Sequence, residues 1–263
     1  MLVEQIWTDN PLRNFHYLVA CPETLEALAI DPYDHQLVLE RAEALGWKIT
    51  QIVNTHEHFD HIDGNQAMVA ATGAEVLAHA NARDKIDGMG RGLQAGSRIQ
   101  VGSSVSLEVL DTPGHTMSHI CLLANLEVPA LFSGDTLFNA GVGHCHAGGD
   151  PEVLYQTVAQ QLSDLSDDVL LYPGHDYIVN NLRFTLGREP GNQVAQNLLL
   201  AVESQDPNKA MITDLALEKQ INCFMRLQSP EVIEGLREKF ADLPAQPSPK
   251  QVFLALRTLR NSW

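Results

Sequence analysis

Over roughly the first 175 residues, apolar positions come in short runs broken by glycine, proline and polar clusters. "NFHYLVAC" and "EALAID" read as strands, the second closed by a turn at Asp31-Pro32. From Asp34 the spacing becomes helical: "DHQLVLERAEALG" predicts a helix with Asp34 as its N-cap and Gly46 as its stop. "KITQIVNT" follows as a buried strand, rich in β-branched residues, that runs directly into "HEHFDH". Further strands are predicted at "AEVLAH", "SVSLEVLDTPG", "HICLLAN", "ALFSGD" and "DVLLYPG". Beyond His175 the pattern is helical throughout, at "NQVAQNLLLAVESQ", "TDLALEKQINCFMRL", "SPEVIEGLREKF" and "SPKQVFLALRTLRNS". Two of these open on Ser-Pro, an N-terminal signal. Strands mixed with helices, then helices alone, predict an α/β domain over residues 1–176 and a helical C-terminal domain over 177–263, with "FADLPAQPSPK" as a connector inside it. There is no repeat at solenoid periods.

Composition narrows the classes. The 263 residues suffice for a sizeable core, and the 44% hydrophobic share is that of a soluble globular protein. No apolar run approaches the roughly 18 residues of a membrane helix, and "MLVEQIWTDN" lacks the features of a signal peptide. The expectation is a cytoplasmic protein without membrane attachment. Cys21, Cys121, Cys145 and Cys223 form no CxxC pair, which argues against a disulfide framework and a zinc knuckle. With 33 acidic and 17 basic residues the net charge is −16, and no basic stripe exists to neutralise phosphates, so no nucleic-acid partner is expected. The oligomeric state stays open.

Five segments end a predicted strand and place metal-competent side chains in a loop: "THEHFDH" (55–61), "DTPGHT" (111–116), "SGDT" (133–136), "GHCH" (143–146) and "YPGHD" (172–176). Strand ends on one rim of a sheet are where α/β proteins build their sites. His56 and His58, two apart on an extended segment, point the same way and can chelate one ion. Asp60 and His61 follow a turn and can reach a second. HExxH is ruled out, because no histidine follows Glu57 at the required spacing.

"THEHFDH", "DTPGHT", "SGDTLF" and "YPGHDY" together resemble the metallo-β-lactamase superfamily, and within it the glyoxalase II enzymes, the hydroxyacylglutathione hydrolases. "NNLRFTLGREPGN" is similar to the segment that opens that family's helical domain. The resemblance implies a four-layer αββα sandwich with a C-terminal helical domain. It makes His56, His58 and His115 ligands of one metal and Asp60, His61 and His175 ligands of a second, with Asp135 bridging. Two divalent ions are implied, zinc in first place, with iron or manganese also fitting nitrogen and oxygen donors. The activity implied is hydrolysis of a small-molecule thioester, glutathione-like or another acyl-thioester, by a metal-bridging hydroxide that Asp60 helps to orient. Thioesters suit the site, since a thiol of pKa about 8.5 leaves without a strong general acid. Tyr177 falls where the family has a substrate-contacting tyrosine.

"GDTLFNAGVGHCHAGGD" departs from the family's "GDTLFxAGCGR/KFxEG". His144 replaces a basic residue, Cys145 a phenylalanine and His146 an aromatic, so His144 and His146 are expected at the substrate rather than at a third metal. Cys145 would point away from its neighbours. "INCFMRL" resembles the family's "NPFxR" and keeps Arg226 as a substrate contact, but the next basic position is Gln228. His16, His35 and His79 are expected to be surface or satisfied buried histidines, and His119 to begin a strand. The main alternative is a persulfide dioxygenase with one iron on His56, His115 and Asp135. Those enzymes resemble "GRTDFQ" after the bridging aspartate, where this chain does not, and generally lack the long helical domain. A lactonase, a phosphodiesterase and a metal-binding regulatory protein with little turnover complete the alternatives.

Overall fold

The "LVEQIW" stretch, which carries no clear alternation, is a strand, β1 (Leu2–Trp7), paired antiparallel with β2 (Phe15–Ala20). It opens a six-stranded sheet that continues through β3 (Glu26–Ile30), β4 (Lys48–Val53), β5 (Glu75–His79) and β6 (Met89–Leu93) in chain order. The pairs from β3 onward are parallel. β7 (Arg98–Val101), β8 (Val105–Asp111), β9 (Ile120–Ala124) and β10 (Ala130–Gly134) form an antiparallel meander in the second sheet. These observations come from a computed structural model that describes residues 1–263.

The contacts divide the chain into two units. The first comprises Met1–Thr112, Ser118–Gly134 and Pro173–His175; the second comprises Pro113–Met117, Asp135–Tyr172 and Asp176–Trp263. This division interleaves along the chain, where the sequence reading places a single boundary after residue 176.

In the first unit every residue of β2 is buried, as a strand covered on both faces must be. Alternation sends Leu18 and Ala20 into a cluster with Val38 and Ala42 of α1 (His35–Leu45) and Met68 of α3 (Asn65–Thr72). Tyr17, on the opposite face, meets Phe132 of β10 edge-on at 5.4 Å between ring centroids. The layers here are helix, sheet, sheet. The ends of α1 follow local chemistry: Asp34 accepts the amide N–H of Leu37, and Gly46 takes the left-handed conformation at φ 69°. The short α2 (Phe59–Ile62) occupies the turn expected after His58.

In the second unit β11 (Leu137–Phe138) and β12 (Gly141–Val142) form a two-stranded ladder, and β13 (Leu170–Pro173) pairs with β14 (Thr213–Asp214). The helices are α4 (Pro151–Gln156), α5 (Ile178–Leu186), α6 (Gln193–Val202), α7 (Leu215–Ile221), α8 (Pro230–Arg237) and α9 (Pro249–Asn261). Ile178 and Leu182 of α5, Ala195 and Val202 of α6, Ile221 of α7 and Ala140 share one core. Two details differ from the sequence reading. The helix expected through "INCFMRL" stops at Ile221, because Asn222 leaves the helical region (φ −94°, ψ 107°) and its side chain donates to the Gly141 carbonyl at 3.1 Å. Ser229 does not cap α8 with its side chain; its hydroxyl donates to Glu189 at 2.6 Å.

Candidate active site

"THEHFDH" leaves the buried end of β4, and "GHD" leaves β13 at Pro173. In the first unit these segments bring Asp60, His61 and His175 together, one ligand atom from each within 4.8 Å of the others, all three buried. The Nε2 atoms of His61 and His175 lie 3.6 and 3.5 Å from Asp60 Oδ2. Their other ring nitrogens are anchored. His61 Nδ1 is 2.9 Å from Asp31 Oδ2, and His175 Nδ1 is 2.7 Å from the Leu12 carbonyl oxygen. Such outer contacts fix tautomer and ring plane and leave Nε2 for a metal. Asn14 donates to Asp60 Oδ2 at 3.0 Å, and Thr55 donates its hydroxyl to Asp31 at 2.7 Å. Donor types and anchoring fit a divalent ion, and no thiolate takes part.

His56 and His58 also converge, with Nε2 and Nδ1 3.0 Å apart. His56 is backed by the Thr55 hydroxyl at 3.0 Å and stacked on His119 at 5.0 Å between centroids. His119 therefore supports a candidate ligand as well as preceding β9; its Nδ1 is 2.9 Å from the Thr112 hydroxyl. Glu57 is held by Lys85 and by the Ser118 hydroxyl at 3.0 Å, which keeps its carboxylate engaged.

In the second unit, His115 Nε2 lies 3.5 Å from Asp135 Oδ2, and His115 Nδ1 lies 2.6 Å from the His144 carbonyl oxygen. Gly143 makes this approach possible: a Cβ there would meet the Asp135 carbonyl oxygen at 1.9 Å. His144 and His146 stack at 5.2 Å between ring centroids.

His144, His146 and Tyr177 line one cavity of about 250 Å³, together with Asn181, Arg257 and Arg260. The two arginines lie outside every motif of the sequence. The available signal was their spacing in "LRTLR", which puts them on one helix face. Arg257 is buried; it donates to the carbonyl oxygens of Val142 at 3.1 Å and Gly143 at 2.9 Å. Burial pushes its guanidinium down to about 10 and also lowers that of Arg260, so both remain cationic at neutral pH but poorly solvated. Burial raises the Cys145 thiol to about 11, which does not suit a thiolate nucleophile.

Arg226, the remaining expected substrate contact, is placed elsewhere. It lines a separate cavity of about 580 Å³, without His144, His146 or Tyr177, and Glu189 holds its guanidinium at 2.7 Å through both Nε and Nη2. This bidentate carboxylate engages the guanidinium fork.

Facing sheets flanked by helices, with histidines and aspartates gathered at strand ends, define a metallohydrolase of the metallo-beta-lactamase type. The profile of the metallo-beta-lactamase superfamily matches residues 20–175, and that of the hydroxyacylglutathione hydrolase C-terminus matches residues 176–263. The chain is 61% identical to a hydroxyacylglutathione hydrolase of Nitrosococcus oceani and 60% identical to one of a Polaromonas species, each aligned over the whole of both chains. The crystal structure of ETHE1 from Myxococcus xanthus superposes with a TM-score of 0.67 at 25% identity, covering 100% of this chain and 99% of that one. The chain belongs to the hydroxyacylglutathione hydrolase family of the metallo-beta-lactamase superfamily. It is a metal-binding hydrolase, and no helix in it is long and apolar enough to cross a membrane.

Proposed function

We propose that the chain hydrolyses acyl-thioesters of glutathione. In this reading His56, His58 and His115 hold one divalent ion, Asp60, His61 and His175 hold a second, and Asp135 is shared. Zinc is the first choice, with iron or manganese also compatible with the donors. The relatives' activity and the family pattern support this assignment. One observation carries it: the loop after Asp135 has two roles. The His144 carbonyl oxygen receives His115 Nδ1 at 2.6 Å, while the rings of His144 and His146 line the cavity that Arg257 and Arg260 make cationic. One loop thus joins the orientation of a candidate ligand to the recognition of an anion.

When bound, the metals supply Lewis-acid charge and lower the pKa of water. The chain's own groups do the rest. Asn14 fixes Asp60, whose carboxylate accepts a hydrogen bond from the attacking water and so orients it. Asp31 and the Leu12 carbonyl keep the imidazoles of His61 and His175 in the orientation that presents Nε2. Arg257 and Arg260 offer poorly solvated cations to the carboxylates of a glutathione moiety, and Tyr177 borders the same space. The departing thiol, of pKa about 8.5, leaves as thiolate without a dedicated acid. Metal analysis and assay of free thiol released from S-D-lactoylglutathione test the reading. Two metals per chain with thiol release are expected; one iron with oxygen uptake and sulfite production would overturn it.

A further inference from the structure

The loop that leads from Asp135 to His144 turns at Ala140, which adopts φ 57°. That is the left-handed region, unfavourable for any residue with a Cβ, and it persists only where surrounding contacts impose it. Here the imposing group comes from α7. The Ala140 amide N–H donates to Glu218 Oε2 at 2.8 Å. The Thr213 hydroxyl donates to the other oxygen at 2.7 Å, and Asn222 Nδ2 donates to Oε2 at 3.2 Å. The same Asn222 amide reaches the Gly141 carbonyl at 3.1 Å. Asn139 Nδ2 donates to Thr213 Oγ1 at 2.8 Å, and Asn181 Nδ2 to the Asn139 carbonyl at 2.9 Å. Glu218 is fully buried. A buried carboxyl is costly, and it touches neither the candidate metal ligands nor the cationic cavity. Its contacts go to the loop that carries Gly143 and His144.

We propose that Glu218 is a positioning residue: its carboxyl holds Ala140 in the left-handed conformation, and so sets where the loop delivers the His144 carbonyl to His115 and the His144 ring to the cavity. A carboxyl is needed because three donors converge on its two oxygens. Glutamine has one acceptor oxygen, and its NH2 group would face the Ala140 N–H or the Thr213 hydroxyl. The inference rests on the proposed thioester hydrolysis only for its kinetic readout.

The test separates positioning from simple support of the fold. Glu218→Gln is expected to lower kcat/KM for S-D-lactoylglutathione about tenfold or more, since it leaves a buried donor without an acceptor. It is also expected to speed amide exchange over residues 142–144. Adding Ala140→Gly should restore exchange protection and bring kcat/KM to within about threefold of Ala140→Gly alone, because glycine takes positive φ without strain. A merely structural role would be unaffected by that second change. The proposal is overturned if Glu218→Gln leaves kinetics and exchange unchanged, or if Ala140→Gly fails to repair the loss. Should Glu218→Gln not fold, Thr213→Val, which removes a donor to Oε1, is read in the same two ways. A wild-type protein inert toward the thioester would overturn the proposed function, and exchange would then decide the positioning role alone.

Discussion

Burial pushes the Glu218 carboxyl up to about 7, against hydrogen bonds from Thr213, Ala140 and Asn222 that favour the ionised form. Between the ordinary carboxyl range and about 7, the folded chain keeps a proton that the unfolded chain has released. The stabilisation is complete below that interval and is lost as pH rises through it, by on the order of 3 kcal/mol. His16 works in the opposite sense. Burial pushes it down to about 3, so its contribution grows as pH rises from there to the usual histidine range. Wild type alone would show the sum. Urea unfolding of wild type and Glu218→Gln at pH 5, 6 and 7.5 isolates the Glu218 part: stability should fall with pH more steeply in wild type than in the variant. At the cavity, Arg260→Gln is expected to raise KM about tenfold while kcat stays within roughly twofold, since the lost contact binds substrate and transition state alike. Steady-state kinetics on S-D-lactoylglutathione check this, and an unchanged KM would remove Arg260 from the binding site.

Helix ends show where local sequence is enough and where it is not. Ser248 forms a capping box with Gln251 at the start of α9, all within four residues, and the Ser-Pro signal reads it correctly. Ser248→Ala should cost about 1 kcal/mol in chemical denaturation. The identical dipeptide at Ser229 reads the same way, yet that hydroxyl serves Glu189, which also holds Arg226. No local signal distinguishes the two serines, because Glu189 lies 40 positions away. The early end of α7 has the same origin, since the group that Asn222 serves belongs to another segment. β4 and β9 were legible from their apolar runs. β6, "MGRGL", was not, because its two glycines dilute the alternation that marks a strand.

At the scale of the whole molecule, metal content should govern stability. Separate segments of the chain supply the candidate ligands, and a bound ion that prefers the folded arrangement stabilises it by mass action. Chelator should lower the melting temperature of wild type, and added zinc should restore it. His58→Ala or Asp135→Ala should abolish turnover, lower metal content and blunt the chelator effect. Full activity in either variant would overturn the ligand assignment. The candidate ligand motifs were legible in sequence because each is a short string at the end of a strand. The cavity was not, because Arg257 and Arg260 follow those strings by more than 80 positions and look like ordinary surface residues of an amphipathic helix. The hydrogen bonds from Arg257 to the carbonyls of Val142 and Gly143 span 115 and 114 positions. During synthesis, the segment from Leu137 to His144 therefore leaves the ribosome long before the guanidinium that will grip it. A nascent chain can fold its early strands first, but it cannot hold this loop as the finished protein does until α9 has been made.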